Sequence, residues 1–282
     1  MDRRLTPCNG RVADPALKGQ VQAERFTEGR QHRVAAAVAD LCAAPGGKLD
    51  RQLLHGALVT VYEIHEGWAF LRAEADGYVG HLRSEQLEAG PPAPVTHRVA
   101  SRATHAYTAP DIKAPRASWL SLGSLLELRD TEGRFAKTAR GFVPLSHLAP
   151  LDTPERDPVT VAERLLGTPY LWGGNSAQGI DCSGLVQAGL AACGIDCPGD
   201  SDLQQAALPA APEGAEPRRG DLLFWKGHVA WVAGPDRLLH ANAHDMAVAY
   251  EPLGSAIARI KGQGDGPVTG HARPIHAPLS SF

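Results

Sequence analysis

The sequence predicts an α+β domain in the C-terminal half of the chain, preceded by two small all-β barrels. Three observations predict this fold class. A Gly-rich turn and an Asp-Cys-Ser-Gly motif open a helix-like run within residues 170–190. Four strand-like runs follow that helix, which is the order of an α+β domain. Ahead of them, a pattern of short alternating strands occurs twice, as it does in small barrels.

The composition excludes several classes of protein. With 282 residues the chain is long enough for two or three domains, and its 30 glycines and 22 prolines favour many turns and short strands. A net charge of −3 gives no basic field for nucleic acid, so we expect no nucleic-acid partner. The sequence has no run of about 18 apolar residues, so we expect no membrane span.

Cysteine usage and the N-terminus predict a cytoplasmic protein. The stretch from Met1 to Pro7 and the polar residues after it lack the apolar run of a signal peptide. The five cysteines are odd in number and scattered along the chain, which is not a disulfide framework. We therefore expect a cytoplasmic location, and we also expect a monomer.

Two segments of the N-terminal half resemble each other. Gly67 in the first segment, for example, matches Gly133 in the second, at a spacing of about 65 residues that is too long for an ordinary solenoid repeat. Each segment holds several short strands bounded by Gly, Asp and Pro. We predict a first barrel over residues 36–90 and a second over residues 96–150, and both look like bacterial SH3-like barrels.

Two joints and a less regular arm flank the barrels. Residues 89–94 are proline-rich and predict a stiff joint between the barrels, and residues 150–158 predict a second joint before the C-terminal domain. We interpret residues 1–35 as an N-terminal arm that is partly helical between Val12 and Phe26, and we assign it no function.

The C-terminal domain, residues 151–282, is predicted to begin with a helix. Thr160 and Glu163 have the spacing of a capping box, and Gly167 is a stop signal. A second helix begins near Cys182. Four β-like runs then follow, at residues 221–225, 228–233, 238–241 and 247–250.

Cys182 lies where a helix start is expected to activate a thiol. Asp181 is an N-cap residue, and Cys182 occupies the first turn. Unpaired N–H groups and the positive end of the helix dipole both favour the thiolate, which is the nucleophile that attack on a peptide bond requires. The sequence therefore predicts a cysteine peptidase with Cys182 as nucleophile, and its backbone N–H is a candidate oxyanion donor.

Two histidines follow in strand-like contexts, and a cysteine nucleophile needs a base that a third group orients. His228 and His240 flank a turn at residues 234–237, so we predict a hairpin that brings them together. A loop centred near Gly234 would place them opposite each other, and a loop centred further on would offset them by a few residues. We assign His228 as the base and His240 as the group that orients it.

Plainer roles remain open for these residues. Cys182 is a buried core cysteine in one alternative, and His240 is a hairpin residue without a role in another. Asp181 is at least an N-cap. Cys193 and Cys197 lack the second ligand pair of a zinc site, so we expect no metal and no cofactor, although a Cys-His set also suits zinc.

The order of these motifs resembles that of the NlpC-type cysteine peptidases, which have a papain-like fold. The resemblance covers about 130 residues and implies hydrolysis of bacterial cell-wall peptides. It implies a catalytic triad of Cys182, His228 and His240. The motifs that carry it are Tyr170-Leu171-Trp172-Gly173-Gly174, Asp181-Cys182-Ser183-Gly184, Gly220-Asp221-Leu222-Leu223-Phe224-Trp225, His228-Val229 and Leu239-His240.

With two barrels ahead of such a domain, the chain is similar to the γ-D-glutamyl-L-diamino-acid endopeptidases of the dipeptidyl-peptidase VI type. That branch acts in murein-peptide recycling, and its first barrel walls the active site and selects a free N-terminal L-Ala. The resemblance implies a set of substrate-binding positions, namely Asp50, Tyr78, Tyr170, Asp181, Ser183 and Ser201. Asp50 stands where a glutamate is expected, and the shorter aspartate side chain reaches less far. Tyr78 matches Phe142 of the second barrel, so the phenol oxygen belongs to the first barrel alone.

We therefore expect a cysteine endopeptidase that hydrolyses the γ-D-Glu–diamino acid bond of small murein peptides with a free N-terminal L-Ala, in cell-wall peptide recycling. The diamino acid is left open between meso-diaminopimelate and lysine. Two alternatives remain: a murein amidase or acyltransferase on the same scaffold, and a catalytically inactive wall-binding module.

Overall fold

The computed structural model describes residues 1–88 and 90–274, so Ala89 of the predicted joint and the end of the predicted C-terminal domain lie outside the described residues. The chain divides into an N-terminal unit, Met1–Leu151, and a C-terminal unit, Asp152–Phe282. Both predicted barrels and the predicted arm fall within the N-terminal unit.

The N-terminal arm contains no α-helix between Val12 and Phe26, so the helix expected there is wrong. Pro15 and Gly19 interrupt the segment, and the Asp14 carboxylate caps a single 3₁₀ turn instead. The arm contains two 3₁₀ helices, Arg3–Leu5 and Pro15–Leu17, and two short strands, β1 (Val12–Ala13) and β2 (Arg25–Phe26).

The first barrel is one six-stranded sheet in the order β3-β6-β7-β8-β4-β5. Its first strand lies inside the segment interpreted as the arm, because the polar sequence Arg30–Arg33 has no apolar alternation to reveal it. The strands are β3 (Arg30–Arg33), β4 (Val38–Cys42), β5 (Leu49–Leu54), β6 (Leu58–His65), β7 (Trp68–Ala73) and β8 (Val79–Arg83).

The second barrel region consists of a five-stranded sheet, β11-β10-β15-β14-β13, and a three-stranded sheet, β12-β9-β16. Its small core is formed by Val99, Ala106, Leu120, Leu126 and Val143. The strands are β9 (His97–Val99), β10 (Ala103–Tyr107), β11 (Arg116–Ser121), β12 (Leu125–Leu126), β13 (Asp130–Glu132), β14 (Phe135–Thr138), β15 (Gly141–Pro144) and β16 (Leu148–Pro150).

Gly56 lies against the backbone of Leu125 in the second barrel region. Its φ is +80°, and a Cβ there would lie 2.3 Å from the backbone oxygen of Leu125. We expect Gly56→Ala to lower the free energy of unfolding by about 2–4 kcal/mol, since backbone strain and a steric clash add. Gly46→Ala is the matched control, because Gly46 has a φ of +65° and open space around it. Urea unfolding of the full chain measures both, and equal losses in the two variants would contradict the clash.

The C-terminal unit places three helices before an antiparallel sheet of order β22-β21-β20-β19-β23, which agrees with the predicted α+β order. A fourth helix, α4, separates the last two strands. The elements are α1 (Pro158–Glu163), β17 (Asn175–Ser176), β18 (Gly179–Ile180), α2 (Cys182–Ala192), α3 (Ser201–Ala207), β19 (Leu222–Trp225), β20 (His228–Gly234), β21 (Arg237–Asn242), β22 (Ala247–Pro252), α4 (Leu253–Gln263) and β23 (Gly270–Ala272).

Helix α1 begins earlier than predicted, so the capping box at Thr160 is wrong. Asp157 is the N-cap and accepts hydrogen bonds from the backbone N–H groups of Val159 and Thr160, with Pro158 at the first helical position. Aspartate followed by proline is itself a helix-start signal, and it competed with the Thr-x-x-Glu pattern.

Helix α2 packs against α1 and β20, and this packing fixes the start of α2 relative to the sheet. Gly189 permits the approach, since a Cβ there would lie 2.7 Å from the Pro158 oxygen and 3.2 Å from the Trp231 ring. Helix α4 covers the other side through Ala256 and Ile260, both buried. Among the described helices, none combines the length and the apolar composition that crossing a bilayer needs.

Candidate active site

Cys182 is the first residue of α2 and is 7% exposed. The Asp181 carboxylate caps the helix by accepting a 2.7 Å hydrogen bond from the Gly184 backbone N–H. Gly184 has to be glycine, because a Cβ there would lie 2.6 Å from the Gly174 oxygen. The Gly-rich turn before the cysteine therefore packs on the first turn of α2, which explains why both glycine motifs accompany Cys182.

His228 and His240 lie on neighbouring strands, and His228 Nε2 is 2.9 Å from His240 Nδ1. Strands β20 and β21 pair with Trp231 opposite Leu239, and the register shifts between Val232 and Gly234. The histidines are therefore offset rather than directly opposite, which is the second of the two predicted arrangements. Offset neighbours on one face of a sheet remain within reach of ring side chains.

The resting site holds a thiol and a neutral imidazole. The pKa of Cys182 is raised to about 12, first by burial and then by the Asp181 carboxylate, and hydrogen bonds from backbone N–H groups, that of Val229 among them, oppose the rise. The pKa of His228 is lowered to about 3, first by burial and then by His240. Burial therefore outweighs the effect of the helix start on the Cys182 thiol, and the assignment of His228 as its base stays a prediction.

Asp181 holds the loop before the nucleophile as well as the helix. Its oxygens accept hydrogen bonds from the Gly173 N–H and the Ser183 hydroxyl, both at 2.9 Å, besides that of Gly184. Burial raises the pKa of Asp181, these bonds lower it, and the charge of Asp200 raises it again. Asp200 is therefore an electrostatic neighbour of Asp181.

Tyr170 lies in the same region, and its role in substrate binding stays a prediction. Burial raises the pKa of its phenol, and Cys182 and Asp181 add to the rise, so all three residues are electrostatic neighbours. Ser201 is buried at the first position of α3. Gln204 fixes that helix against α2, because its amide donates a 3.0 Å hydrogen bond to the Ser183 oxygen.

Asp50 and Tyr78, the two barrel positions, lie together within the N-terminal unit. Arg3 donates to both Asp50 oxygens at 2.7 and 2.8 Å, and Tyr78 is among the residues whose charge acts on Arg3. Tyr78 is 2% exposed and belongs to the barrel core, with the Arg51 guanidinium 5.2 Å from its ring centre. The roles of Asp50 and Tyr78 in substrate binding stay predictions.

Sequence reasoning missed four residues. Arg3 contacts Asp50 in the N-terminal unit, and Asp200, Gln204 and Glu251 lie near the cysteine or the histidines in the C-terminal unit. Asp200 has a φ of +56°, which is strained for a residue with a side chain and is a feature of functional sites. Glu251 Oε2 lies 3.2 Å from His240 Nε2. Within residues 1–88 and 90–274, no group of three or more His, Cys, Asp or Glu side chains could hold a metal ion.

Two family models match the chain. The NlpC/P60 family matches residues 167–260, which contain the cysteine and both histidines, and the bacterial dipeptidyl-peptidase Sh3 domain matches residues 41–87. The second model lies within the first barrel, and the SH3-like nature of the second barrel stays a prediction.

Relatives and a solved structure agree with these matches. A γ-D-glutamyl-L-lysine dipeptidyl-peptidase of Bacillus subtilis (strain 168) is 29% identical over 217 residues, 68% of this chain and 72% of that protein. Dipeptidyl-peptidase 6 of Lysinibacillus sphaericus is 36% identical over 84 residues, 30% of this chain and 31% of that protein. An NlpC/P60 family protein from Bacillus cereus ATCC 10987 shares the fold, with a TM-score of 0.71 at 20% identity over 86% of this chain and 99% of that chain.

The segment that matches the NlpC/P60 model, residues 167–260, contains the elements that position the thiol and the two histidines. The C-terminal unit thus has the papain-like fold of these enzymes, and the first barrel is an SH3 domain of the bacterial dipeptidyl-peptidase type. The chain therefore contains a domain of the NlpC/P60 type at residues 167–260 and is similar to cysteine peptidases that carry this domain.

Proposed function

We propose that this peptidase hydrolyses the γ-D-Glu–diamino acid bond of murein peptides that carry a free N-terminal L-Ala, and releases the dipeptide L-Ala-γ-D-Glu. The observation that carries the proposal is the pair of carboxylates, Asp181 next to Cys182 and its electrostatic neighbour Asp200. An ammonium group is the ligand that such a pair favours. The name of the Bacillus subtilis relative supports the same bond, and the name of the Lysinibacillus sphaericus relative supports release of a dipeptide.

The chemistry proceeds through a thioester. Cys182 Sγ attacks the γ-carbonyl carbon of D-Glu while His228 accepts the thiol proton, and the Cys182 backbone N–H faces the developing oxyanion. The protonated His228 then gives its proton to the leaving amine of the diamino acid. Water attacks the thioester with His228 again as base, which releases the dipeptide carboxylate and restores the thiol.

The ammonium site sets the length of the product. Three protein donors reach Asp181 among the described residues, and a carboxylate offers about four acceptor positions, so one remains for a substrate N–H. An extended two-residue segment spans roughly 7 Å. An amine held at a fixed position near the thiol therefore selects cleavage after the second residue.

The test compares the synthetic tripeptide L-Ala-γ-D-Glu-L-Lys with its N-acetylated form. Acetylation removes the ammonium charge, so we expect kcat/KM to fall by roughly 100-fold or more, as for a lost charge-assisted contact. Equal turnover of both peptides would overturn the free N-terminus and favour an amidase or acyltransferase on the same scaffold. Turnover of neither, with tight binding of the full chain to murein sacculi, would favour a wall-binding module.

Arg3 provides a test of the predicted role of Asp50. Its guanidinium occupies both oxygens of that carboxylate, so it competes with any substrate amine there. If Asp50 binds the ammonium, Arg3→Ala should lower KM for the free tripeptide by roughly 3- to 10-fold with little change in kcat. Arg4→Ala is the matched control, because Arg4 pairs with Asp2 instead. An unchanged or higher KM in Arg3→Ala would remove Asp50 from the site.

A role in peptide recycling and a cytoplasmic location belong to the same proposal. A requirement for a free amine excludes peptides that are still attached to the wall through that nitrogen. None of the five cysteines, all within the described residues, forms a disulfide, which is the ordinary state in a reducing compartment. Cell fractionation with an antibody against the chain measures the location, and a signal confined to the wall fraction would contradict it.

A further inference from the structure

His240 is a buried ring with a contact on each side. It is 0% exposed, and its Nδ1 is 2.9 Å from His228 Nε2. Its other nitrogen, Nε2, has no in-line hydrogen-bond partner among the described residues, and Glu251 Oε2 approaches it to 3.2 Å. A small ring rotation would turn this approach into a hydrogen bond, so the carboxylate is the natural acceptor for a buried N–H.

Strand pairing brings Glu251 to this position. Strand β22 pairs with β21 so that His240 faces Ala249 and Leu238 faces Glu251. Glu251 is therefore the diagonal neighbour of His240, at the distance that long side chains bridge. Arg259 of α4 holds the carboxylate, with Nε 2.9 Å from Oε1 and Nη2 2.7 Å from Oε2.

The carboxylate decides which nitrogen of each ring carries a proton. An acceptor at His240 Nε2 places the proton there and leaves Nδ1 as a lone pair. His240 Nδ1 then accepts the N–H of His228 Nε2. The remaining nitrogen of His228, Nδ1, is left unprotonated and is the atom that is free to take the thiol proton of Cys182.

We propose that Glu251 is a positioning residue of the peptidase, which fixes the tautomers of His240 and His228 and stabilises the imidazolium that forms on His228. The proposal rests on the peptidase chemistry of Cys182 and on no particular peptide substrate. Glu251 touches neither the thiol nor the substrate in this account and acts through His240.

The two members of the Glu251–Arg259 ion pair have opposite effects on the pKa of His228. Glu251 raises the pKa of His228, and Arg259 lowers it, on top of the larger lowering by burial and His240. The other charged groups that act on His240 or Glu251 are Asp245 and His244 of the β21–β22 turn. Removing Glu251 should therefore make His228 a weaker base, and removing Arg259 should make it a stronger one.

The decisive experiment compares Glu251→Gln with Arg259→Met in the full chain. Both variants break the same ion pair. If that ion pair only stabilised the fold, the pH profile of kcat/KM would change in the same way in both variants. We expect the acid limb of kcat/KM to move to lower pH in Glu251→Gln and to higher pH in Arg259→Met, by roughly half a pH unit each. If the acid limbs of the two variants do not move in opposite directions, the proposal is overturned.

The change in kcat of Glu251→Gln is compared with that of a control variant, Glu155→Gln. Glu251→Gln should lower kcat about 10-fold with KM changed by no more than about twofold, because a proton-transfer partner is weakened and substrate contacts are kept. Glu155→Gln breaks a similar ion pair, Glu155–Arg164 at 2.9 Å, elsewhere in the C-terminal unit, and should leave kcat unchanged. Equal losses in both glutamine variants would overturn the proposal.

Two measurements hold without the proposed peptide substrate. The ¹⁵N chemical shifts of the wild-type histidine rings should place the proton of His240 on Nε2, and the reverse tautomer would overturn the role of Glu251. The rate of Cys182 alkylation by iodoacetamide at pH 7 should be lower in Glu251→Gln than in wild type, and an equal or higher rate would contradict it. If the tripeptide is not cleaved, the proposed function fails while these two results still decide the role of Glu251.

Discussion

Replacing Cys182 with serine is expected to lower kcat for the free tripeptide by roughly 10⁴-fold or more, because the nucleophile of a catalytic unit is lost. His228 is a weak base in its buried position, with a pKa lowered to about 3, and it can assist a thiol more readily than a far less acidic hydroxyl. The fold should survive, because Cys182 and serine are similar in size and the Asp181 cap does not involve the thiol.

The matched control for this variant is Cys193→Ser. Cys193 caps the C-terminal end of the same helix and is half-buried. Steady-state hydrolysis of the tripeptide should be retained in Cys193→Ser and lost in Cys182→Ser at equal protein concentration. Retained turnover in Cys182→Ser would assign the nucleophile to another residue.

Replacing His228 with glutamine is expected to lower kcat by roughly 10³-fold, the usual contribution of a positioned general base. Glutamine keeps a polar group toward His240 but takes up no proton, so the thiol loses its acceptor. In wild type, activity should persist well below pH 6.5, because burial and His240 hold the pKa of His228 far below that of an ordinary histidine. The fall of kcat/KM with decreasing pH measures this.

The control for the base is His65→Gln, an exposed histidine of the N-terminal unit. It should leave kcat and the pH profile unchanged. A wild-type acid limb near pH 6.5 would contradict a buried, neutral His228, and undiminished activity in His228→Gln would remove it as the base.

Local signals account for the parts of the site that the sequence predicted. Asp181, Cys182 and Gly184 lie within one helix start, where capping and close packing depend on neighbours in sequence. The histidine hairpin was predicted from turn residues between two strand-like runs. Its offset was left open, because the irregularity between Val232 and Gly234 leaves no mark in residue type.

Long-range contacts and burial explain what the sequence did not predict. The Arg3–Asp50 pair joins residues 47 positions apart, and no local pattern marks it. Glu251 reaches His240 through strand register and is held by a helix that was not predicted, although Leu253, Ala256, Ile257 and Ile260 have helical spacing. Burial raises the pKa of Cys182 against the effect of the helix start, and the depth of burial is not visible in a sequence as a helix start is.

The central claim concerns which bond is cut, and product identification tests it most directly. Wild type is incubated with L-Ala-γ-D-Glu-L-Lys or its meso-diaminopimelate counterpart, with Cys182→Ala as the blank, and the products are identified by mass spectrometry. We expect L-Ala-γ-D-Glu and the free diamino acid from wild type and intact tripeptide from the variant. Release of free L-Ala, or the same products from Cys182→Ala, would contradict it.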